Sequence, residues 1–467
     1  MDGQVVFCTG PLPGERVQVR IILVKPNYAV AEPLVYETRS EYRANPFCAV
    51  FGTCGGCQVQ HMGYPAQLAW KEQIVKSALR RIGGFHDVVV QRPVGMTMPR
   101  AYRNKMALVV APSPTGETEF GFYRARSHAI VPIASCPVVL PQLDAGIAGL
   151  RAAAAEPQTR GAFIGAKHAI VRAGAATGQA VLSITTDRQQ PAIRDAAPAL
   201  ARKVPGVVGV SNSFEPRTAN AVLGRKMSYV WGQREMEETI EGVRYRVSPA
   251  SFFQVNSEMV ARIFRFLAPG VQPGRKMVDL YCGAGTFALF FASRGADVIG
   301  IEENPAAVRE ARENAAANKF ASRVSFVEGR VEGTVVNPDG RQAIADAEIV
   351  FLDPPRKGSD QATLKALSDA AVPNIWYLSC NPATLARDLR YLADRGYKLG
   401  VVQPFDMFPQ TGHVETLVTL HKPQAEPEVE LPAREATPWD DVIPEWPSED
   451  KYAKHDYPAF VDQGEAP

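Results

Sequence analysis

No apolar run in this chain reaches the ~18 residues a membrane-spanning helix needs. The N-terminus, Met1-Asp2-Gly3-Gln4, lacks the basic start and apolar core of a secretory signal. A cytoplasmic protein with no membrane partner is expected. A disulfide framework is also missing: 467 residues hold seven cysteines, an odd number, three of them tightly clustered. That usage favours metal binding plus a reactive thiol. Nor does one sign of charge dominate, since 51 Lys/Arg against 49 Asp/Glu leave a net of +2. The balance is uneven along the chain, however. From Pro423 to Pro467 there are twelve Asp/Glu and only three Lys/Arg, so the preceding body carries a positive excess. A basic body with an acidic tail suits a polyanionic ligand. Hydrophobic content of 46% and charge of 21% are ordinary for a globular protein, and the length allows two to four domains.

Residues 1–40 read as short strands. Val5-Val6-Phe7 is followed by a Gly/Pro turn and by alternating Val17–Val24, the pattern of a small β-barrel. The chain opens almost inside a strand, so the barrel reads as truncated. Residues 41–240 form a mixed α+β region with a helix at Pro65–Ile82 and strands such as Met106–Val110 and Ala180–Ile184. From 241 to 422, strands alternate with helices. Met277–Tyr281, Val298–Ile301, Val324–Val327, Ile349–Leu352, Ile375–Ser379 and Val414–Leu420 imply a largely parallel sheet wrapped by helices, a Rossmann-like α/β domain. Residues 423–467 carry eight prolines in 45 positions and little periodicity. This tail is expected to be disordered and dispensable for catalysis. Its aromatics, Trp439, Trp446, Tyr452, Tyr457 and Phe460, offer docking groups, but a solvated extension is the favoured reading.

Val278-Asp279-Leu280-Tyr281-Cys282-Gly283-Ala284-Gly285-Thr286-Phe287 is a strand running through a glycine turn into a helix. Glycines let the backbone approach a ligand, and the helix start offers free N–H groups. Glu302 closes the next strand, 19 residues after Gly283, where a carboxylate grips ribose hydroxyls. Alone, this pattern fits a nicotinamide dinucleotide nearly as well as S-adenosylmethionine. The absence of a second nucleotide-binding half favours S-adenosylmethionine. So does Asp353-Pro354-Pro355-Arg356, placed after a later strand to face cofactor and substrate.

Cys380 follows the strand Ile375–Ser379 and precedes a helix opened by Pro382. A thiol at a helix start is expected to lean toward thiolate. The bland alternative, a buried structural cysteine, is assigned to Cys8 and Cys282. Carbon 5 of uracil is a poor nucleophile, but a thiolate added at carbon 6 makes the ring an enolate that attacks a methyl donor. A base must then take the carbon-5 proton, and Glu415 is the candidate. Asp353 or Gln254 is placed to hydrogen-bond the ring edge.

Several segments resemble the RNA uracil-5-methyltransferase family. They are Ser251-Phe252-Phe253-Gln254-Val255-Asn256, Asp353-Pro354-Pro355-Arg356-Lys357-Gly358, Tyr377-Leu378-Ser379-Cys380-Asn381-Pro382-Ala383-Thr384 and Phe405–Glu415. The resemblance runs in order through nearly all of residues 1–421. It implies Cys380 as nucleophile and Glu415 as proton acceptor, with Gln254, Tyr281, Glu302 and Asp353 contacting S-adenosylmethionine beside Gly283, Gly285 and Thr286. Thr286 stands where the family often has Asn. Arg330 stands where Asn or Asp is common, and no role is carried over to it.

Cys48, Cys54 and Cys57, in a Cys-x5-Cys-Gly-Gly-Cys run, are joined by Cys136. Four thiolates suit zinc or an iron–sulfur cluster, and spacing does not decide. The resemblance implies a 4Fe-4S cluster on these four, in a structural or RNA-positioning role. It also identifies the first 40 residues with a TRAM domain, an OB-like RNA-binding barrel. TRAM plus cluster is similar to enzymes of 23S ribosomal RNA, acting here as a monomer; tRNA is the alternative substrate. Tyr102-Arg103-Asn104-Lys105 and Arg124-Ala125-Arg126 are candidate phosphate contacts. Cytosine-5 and adenine-N6 methylation fit the motifs less well. A non-catalytic RNA-binding or assembly factor is the competing class.

Overall fold

The computed structural model describes residues 5–216, 218, 221–423, 431 and 434–445. At the N-terminus, Tyr28–Tyr36 is the middle strand of a three-stranded sheet, parallel to Val5–Cys8 and antiparallel to Val17–Val24. Ile22, Leu23, Val24, Leu34 and Val35 are exposed on it. Leu12 packs on Met62 and Ala66, and Glu15 pairs with Arg43, joining this small sheet to the body.

The helix Tyr64–Arg81 starts one residue before the expected point, with Pro65 in its first turn where no N–H is required. Beyond it lies a seven-stranded sheet. Its spatial order is Gly224–Gly232, Val207–Pro216, Ala180–Thr186, Ala166–Ala173, Lys105–Pro112, Thr118–Tyr123 and Ile130–Pro132. Period-two alternation sends Met106, Leu108, Val110, Val171, Leu182 and Ile184 to one face. There they pack with Leu143, Ile147 and Leu150 of helix Pro141–Ala155 and with Ile193 and Leu200 of helix Pro191–Lys203.

A hairpin, Met236–Ile240 with Val243–Val247, straddles the domain boundary expected at 241. Met236, Ile240, Val243, Tyr245 and Val247 share one core with Phe287 and Phe291 of the last domain. That burial ties the hairpin to the last domain.

The last domain's sheet runs Val324–Glu328, Asp297–Glu302, Lys276–Leu280, Ile349–Leu352, Asn374–Ser379, Glu415–His421, Lys398–Phe405. Only Glu415–His421 runs against the others. Both faces are buried, which explains the continuous apolar runs. Val278, Val350, Ile375 and Tyr377 meet Leu385 and Leu389 on one side, and Met277, Phe351, Trp376 and Leu378 meet Phe287 and Phe291 on the other. Lys398–Phe405 was not foreseen. It carries Gly400 and Pro404 and a register shift between Leu399 and Val402, features an edge strand tolerates.

Part of the tail overturns the expectation of disorder. Residues 434–445 lie on the body: Ile443 is 6% exposed and packs with Tyr64, Leu68 and Ala69, joined by Trp439. Local composition had favoured solvation, but the apolar pair finds a ready-made recess. Trp446, Tyr452, Tyr457 and Phe460 lie outside the described residues.

Candidate active site

The strand Lys276–Leu280 ends in Tyr281, held at φ 66°, a conformation rare for a residue with a Cβ and one that stores strain at functional sites. Gly283 (φ 56°) and Gly285 (φ 84°) complete the turn. Gly285 is required twice over, because a Cβ there would also sit 3.1 Å from Phe326 and 3.2 Å from Ala311. At Gly283 a Cβ would meet nothing within 4 Å, so this side of the loop faces open space for a ligand. Glu302 Oε2 accepts from Gly283 N at 3.0 Å and Oε1 from Asn304 N at 2.8 Å, which leaves each oxygen a lone pair for a hydroxyl. Tyr281 Oη lies 3.2 Å from Ser359 Oγ. Thr286 opens helix Thr286–Ser293, buried, with its carbonyl accepting from Tyr245 Oη at 2.9 Å.

Charge around this loop discriminates between cofactors. Asp279 is buried beneath it, and burial, then the neighbouring Asp353 and Glu302 carboxylates, push its carboxyl well above the usual range. Glu302 at the edge of the loop repels a pyrophosphate and attracts an ammonium or sulfonium, while Asp279 beneath it keeps its proton. Arg330, the nearest cation after strand Val324–Glu328, is taken by Glu332 and Glu303.

Three adjacent strands deliver the reacting groups to the same edge of the sheet. Leu352 pairs with Tyr377, and Asp353 follows Leu352. Ser379 pairs with Thr416, which brings Cys380, the next residue, beside Glu415. Gln254, from the segment before helix Ser257–Leu267, donates Nε2 to Asp353 Oδ2 at 3.2 Å. Its own carbonyl accepts from Asn104 Nδ2 at 2.9 Å. Asp353 is pushed up to about 7 by burial, partly opposed by the Gln254 hydrogen bond. Glu415 is 2% exposed, and its Oε1 has no hydrogen-bond partner. Burial, then Asp353, raise its carboxyl well above the usual range, against the pull of Arg356.

The expected lean of Cys380 toward thiolate is overturned. Its thiol is pushed up to about 12 by burial and by the Glu415 and Asp353 carboxylates, with Arg356 opposing. Cys380 stands before the cap, not in the helix. Asn381 caps Pro382–Ala393 by accepting from Ala383 N, so the helix start is already served. Burial first, and then the two carboxylates, outweigh the helix end. As a thiol, Cys380 needs a proton acceptor when it attacks, and Asp353, at about 7, is among the groups that act on it.

The Tyr102–Lys105 run does not line a phosphate path as expected. Tyr102 is buried, donating its hydroxyl to Pro409 O at 3.0 Å, and Asn104 is buried against Gln254 and Ser257. Lys105, half-buried, is pulled down to about 7 by burial, then by Arg172 and Arg103. Arg124 and Arg126 do lie on the surface. Two features escaped the sequence reading. Phe252 is 68% exposed two residues from Gln254, an aromatic face open to solvent. Arg172 is 1% exposed, with Nε and Nη1 unpartnered, and it donates Nη2 to Ser251 O at 2.9 Å. It sits opposite Lys105 in the strand pair, and the Glu310 carboxylate opposes the cost of burying it beside a like charge. Its period-two position off the helix-covered face was the only signal available.

Cys48, Cys54, Cys57 and Cys136 are half-buried and unoxidised. Burial pushes Cys57 up to about 12 and Cys136 to about 11, and the cysteines' charges raise one another across the set. The four donors thus share one neighbourhood. Among the described residues, no three His, Cys, Asp or Glu side chains come together as a metal-ion site.

Residues 222–423 match the tRNA (uracil-5-)-methyltransferase family, and residues 1–34 match the TRAM domain. The chain is 36% identical to an uncharacterized RNA methyltransferase of Halalkalibacterium halodurans over 432 residues, 90% of this chain and 93% of that protein. It is likewise 36% identical to one of Gloeobacter violaceus, covering 90% and 92%. The crystal structure of Pyrococcus abyssi tRNA (uracil-54, C5)-methyltransferase with S-adenosyl-L-homocysteine superposes with a TM-score of 0.71 at 26% identity. That alignment covers 90% of this chain and 96% of that one.

Proposed function

The chain belongs to the RNA uracil-5-methyltransferase family, whose cofactor is S-adenosylmethionine, and from that premise we propose that it methylates carbon 5 of a uridine through a covalent adduct with Cys380. The observation that carries this reading is the convergence of Cys380, Glu415 and Asp353 at the ends of three adjacent strands.

Cys380 Sγ adds to carbon 6, and its proton passes to the Asp353 carboxylate, which leaves Glu415 free for the later step. Electron density moves through carbon 5 toward the ring carbonyl. The Gln254 amide and Asp353 bind the polar ring edge there and stabilise the developing charge. Bound against Gly283 and Glu302, S-adenosylmethionine supplies an electrophilic methyl group. Glu415 then takes the carbon-5 proton. The C–H electron pair restores the ring double bond, and the bond to Cys380 breaks. A carboxylate with raised proton affinity and an unpartnered oxygen suits that last step. Phe252 offers a stacking face to a base turned out of RNA.

The 23S ribosomal RNA is the substrate of this reading, supported by the TRAM match and the cysteine set. A tRNA uridine is the second reading, favoured by the match along 90% of the chain to the archaeal tRNA enzyme. Cys48, Cys54, Cys57 and Cys136 would hold a 4Fe-4S cluster. The family resemblance of the Cys-Gly-Gly-Cys run is what supports a cluster over a zinc ion here. Since the proposed chemistry transfers no electrons, the cluster ties the 48–57 loop to Cys136 and supports RNA placement. Iron and sulfide content after anaerobic purification tests this.

The deciding experiment offers unmodified 23S rRNA and tRNA transcripts with methyl-labelled S-adenosylmethionine, followed by nucleoside analysis. 5-Methyluridine in 23S rRNA alone is expected. Product only in tRNA would select the second reading, and transfer to neither would reject the proposal.

A further inference from the structure

Residues 434–445 lie beyond the stretch 222–423 that matches the family, yet they touch the framework that carries Glu415. Trp439 donates Nε1 to Met96 O at 2.7 Å, and its ring meets Tyr64 edge-on, centroids 5.2 Å apart. Tyr64 Oη accepts from Met96 N at 2.9 Å and donates to Asp406 Oδ2 at 2.7 Å. Asp406 is also paired with Lys71, both side chains fully buried, and Lys71 Nζ donates to Phe408 O at 3.0 Å. Asn256 Nδ2 donates to Met407 O at 3.1 Å. Trp439 therefore covers Tyr64, one of the two groups that hold Asp406, the second residue of the loop ending at Glu415. Two further ties fasten the segment to the body, and one ion pair folds it on itself. Arg92 Nη1 donates to Ile443 O at 3.1 Å, Glu435 pairs with Arg265 at 2.9 Å, and Asp440 pairs with Arg434 at 2.8 Å while capping Thr437.

Glu415 itself has no local restraint on Oε1. Its aim comes from the strand and loop behind it, where Gln410, at φ 70°, is pinned by reciprocal bonds with Gln67. We propose that segment 434–445 is a positioning strap, in which Trp439 locks the Tyr64–Asp406–Lys71 framework and so fixes Glu415 for removal of the carbon-5 proton. This rests on the proposed role of Glu415 and reverses the expectation that the tail is dispensable. Trp439 is a positioning residue, far from the reacting atoms.

If Glu415 is misplaced, Cys380 still adds and carbon 5 still gains its methyl group. What fails is release, because the carbon-5 proton has no acceptor and the sulfur–carbon-6 bond persists. The test compares the full chain, a truncation after Lys422, Trp439→Ala, Trp439→Phe and Glu415→Gln as reference. Each is given ordinary-uridine RNA and methyl-labelled S-adenosylmethionine. Turnover is measured together with the labelled enzyme–RNA adduct that survives denaturation. Truncation and Trp439→Ala are expected to slow turnover about tenfold while adduct accumulates, as one lost orienting contact does. Trp439→Phe keeps the ring contact and should restore most of the rate. Unchanged turnover overturns the proposal, as does a fall that tracks thermal stability without adduct. Adduct absent from Glu415→Gln itself removes Glu415 as the base, and the strap's role with it.

Discussion

Asp353→Asn should make the protein more stable at neutral pH while crippling it as an enzyme. Burial raises the Asp353 carboxyl from its ordinary 3.8 to about 7. Between those values the folded state holds a proton that the unfolded state has released. Stability therefore falls as pH rises through this window, and the penalty is complete above pH 7. About three pH units at ~1.4 kcal/mol each set an upper limit of about 4 kcal/mol. Solvent at the half-buried carboxylate reduces it. Asparagine keeps the shape and the acceptor for Gln254 but cannot ionise. It also relieves Glu415, whose carboxyl Asp353 pushes up, so both effects share a sign. Thermal unfolding of both proteins from pH 4 to 8.5 measures the difference. The variant should melt several degrees higher at pH 8, at roughly 2–4 °C per kcal/mol for a domain of this size, and no higher at pH 4. Equal melting temperatures at both ends would refute the electrostatic account of the site. Methyl transfer should fall in the same variant, a cost in stability retained for function.

Cys380→Ala should abolish both methyl transfer and covalent trapping by 5-fluorouridine RNA while leaving S-adenosylmethionine binding, measured by calorimetry, intact. Lys71→Met should destabilise the protein by about 3–5 kcal/mol in chemical denaturation, because it leaves Asp406 charged and buried without its cation. Arg172→Met should leave stability unchanged or improved, since the guanidinium is buried with two nitrogens unpartnered. Arg124→Ala, at an exposed position, should weaken RNA binding in fluorescence anisotropy, with a salt slope shallower by about one.

Local pattern alone specified a good deal of this protein. The strands Lys276–Leu280, Ile349–Leu352 and Asn374–Ser379 lie within a residue of the positions read from their apolar runs, because a strand buried on both faces leaves little else for such a run to be. The glycine turn was equally legible, since positive φ at Gly283 and Gly285 is written in the residue type. Cys380 and Glu415 were legible as chemistry.

What those groups feel was decided elsewhere. A helix start argued for a Cys380 thiolate, but the strand register sets the thiol beside two carboxylates and raises it instead. Tyr102 and Asn104 read as surface polar residues, but Pro409 takes the Tyr102 hydroxyl and Gln254 and Ser257 take the Asn104 amide. Residues 434–445 read as solvated because their composition is acidic and Pro-rich. The recess for Trp439 and Ile443 is built by Tyr64, Leu68 and Met96, more than three hundred positions earlier. Backbone preference depends on a residue and its near neighbours, so the sequence displays it. Desolvation and electric field depend on whatever the fold brings within a few ångströms, and only the tertiary structure specifies that.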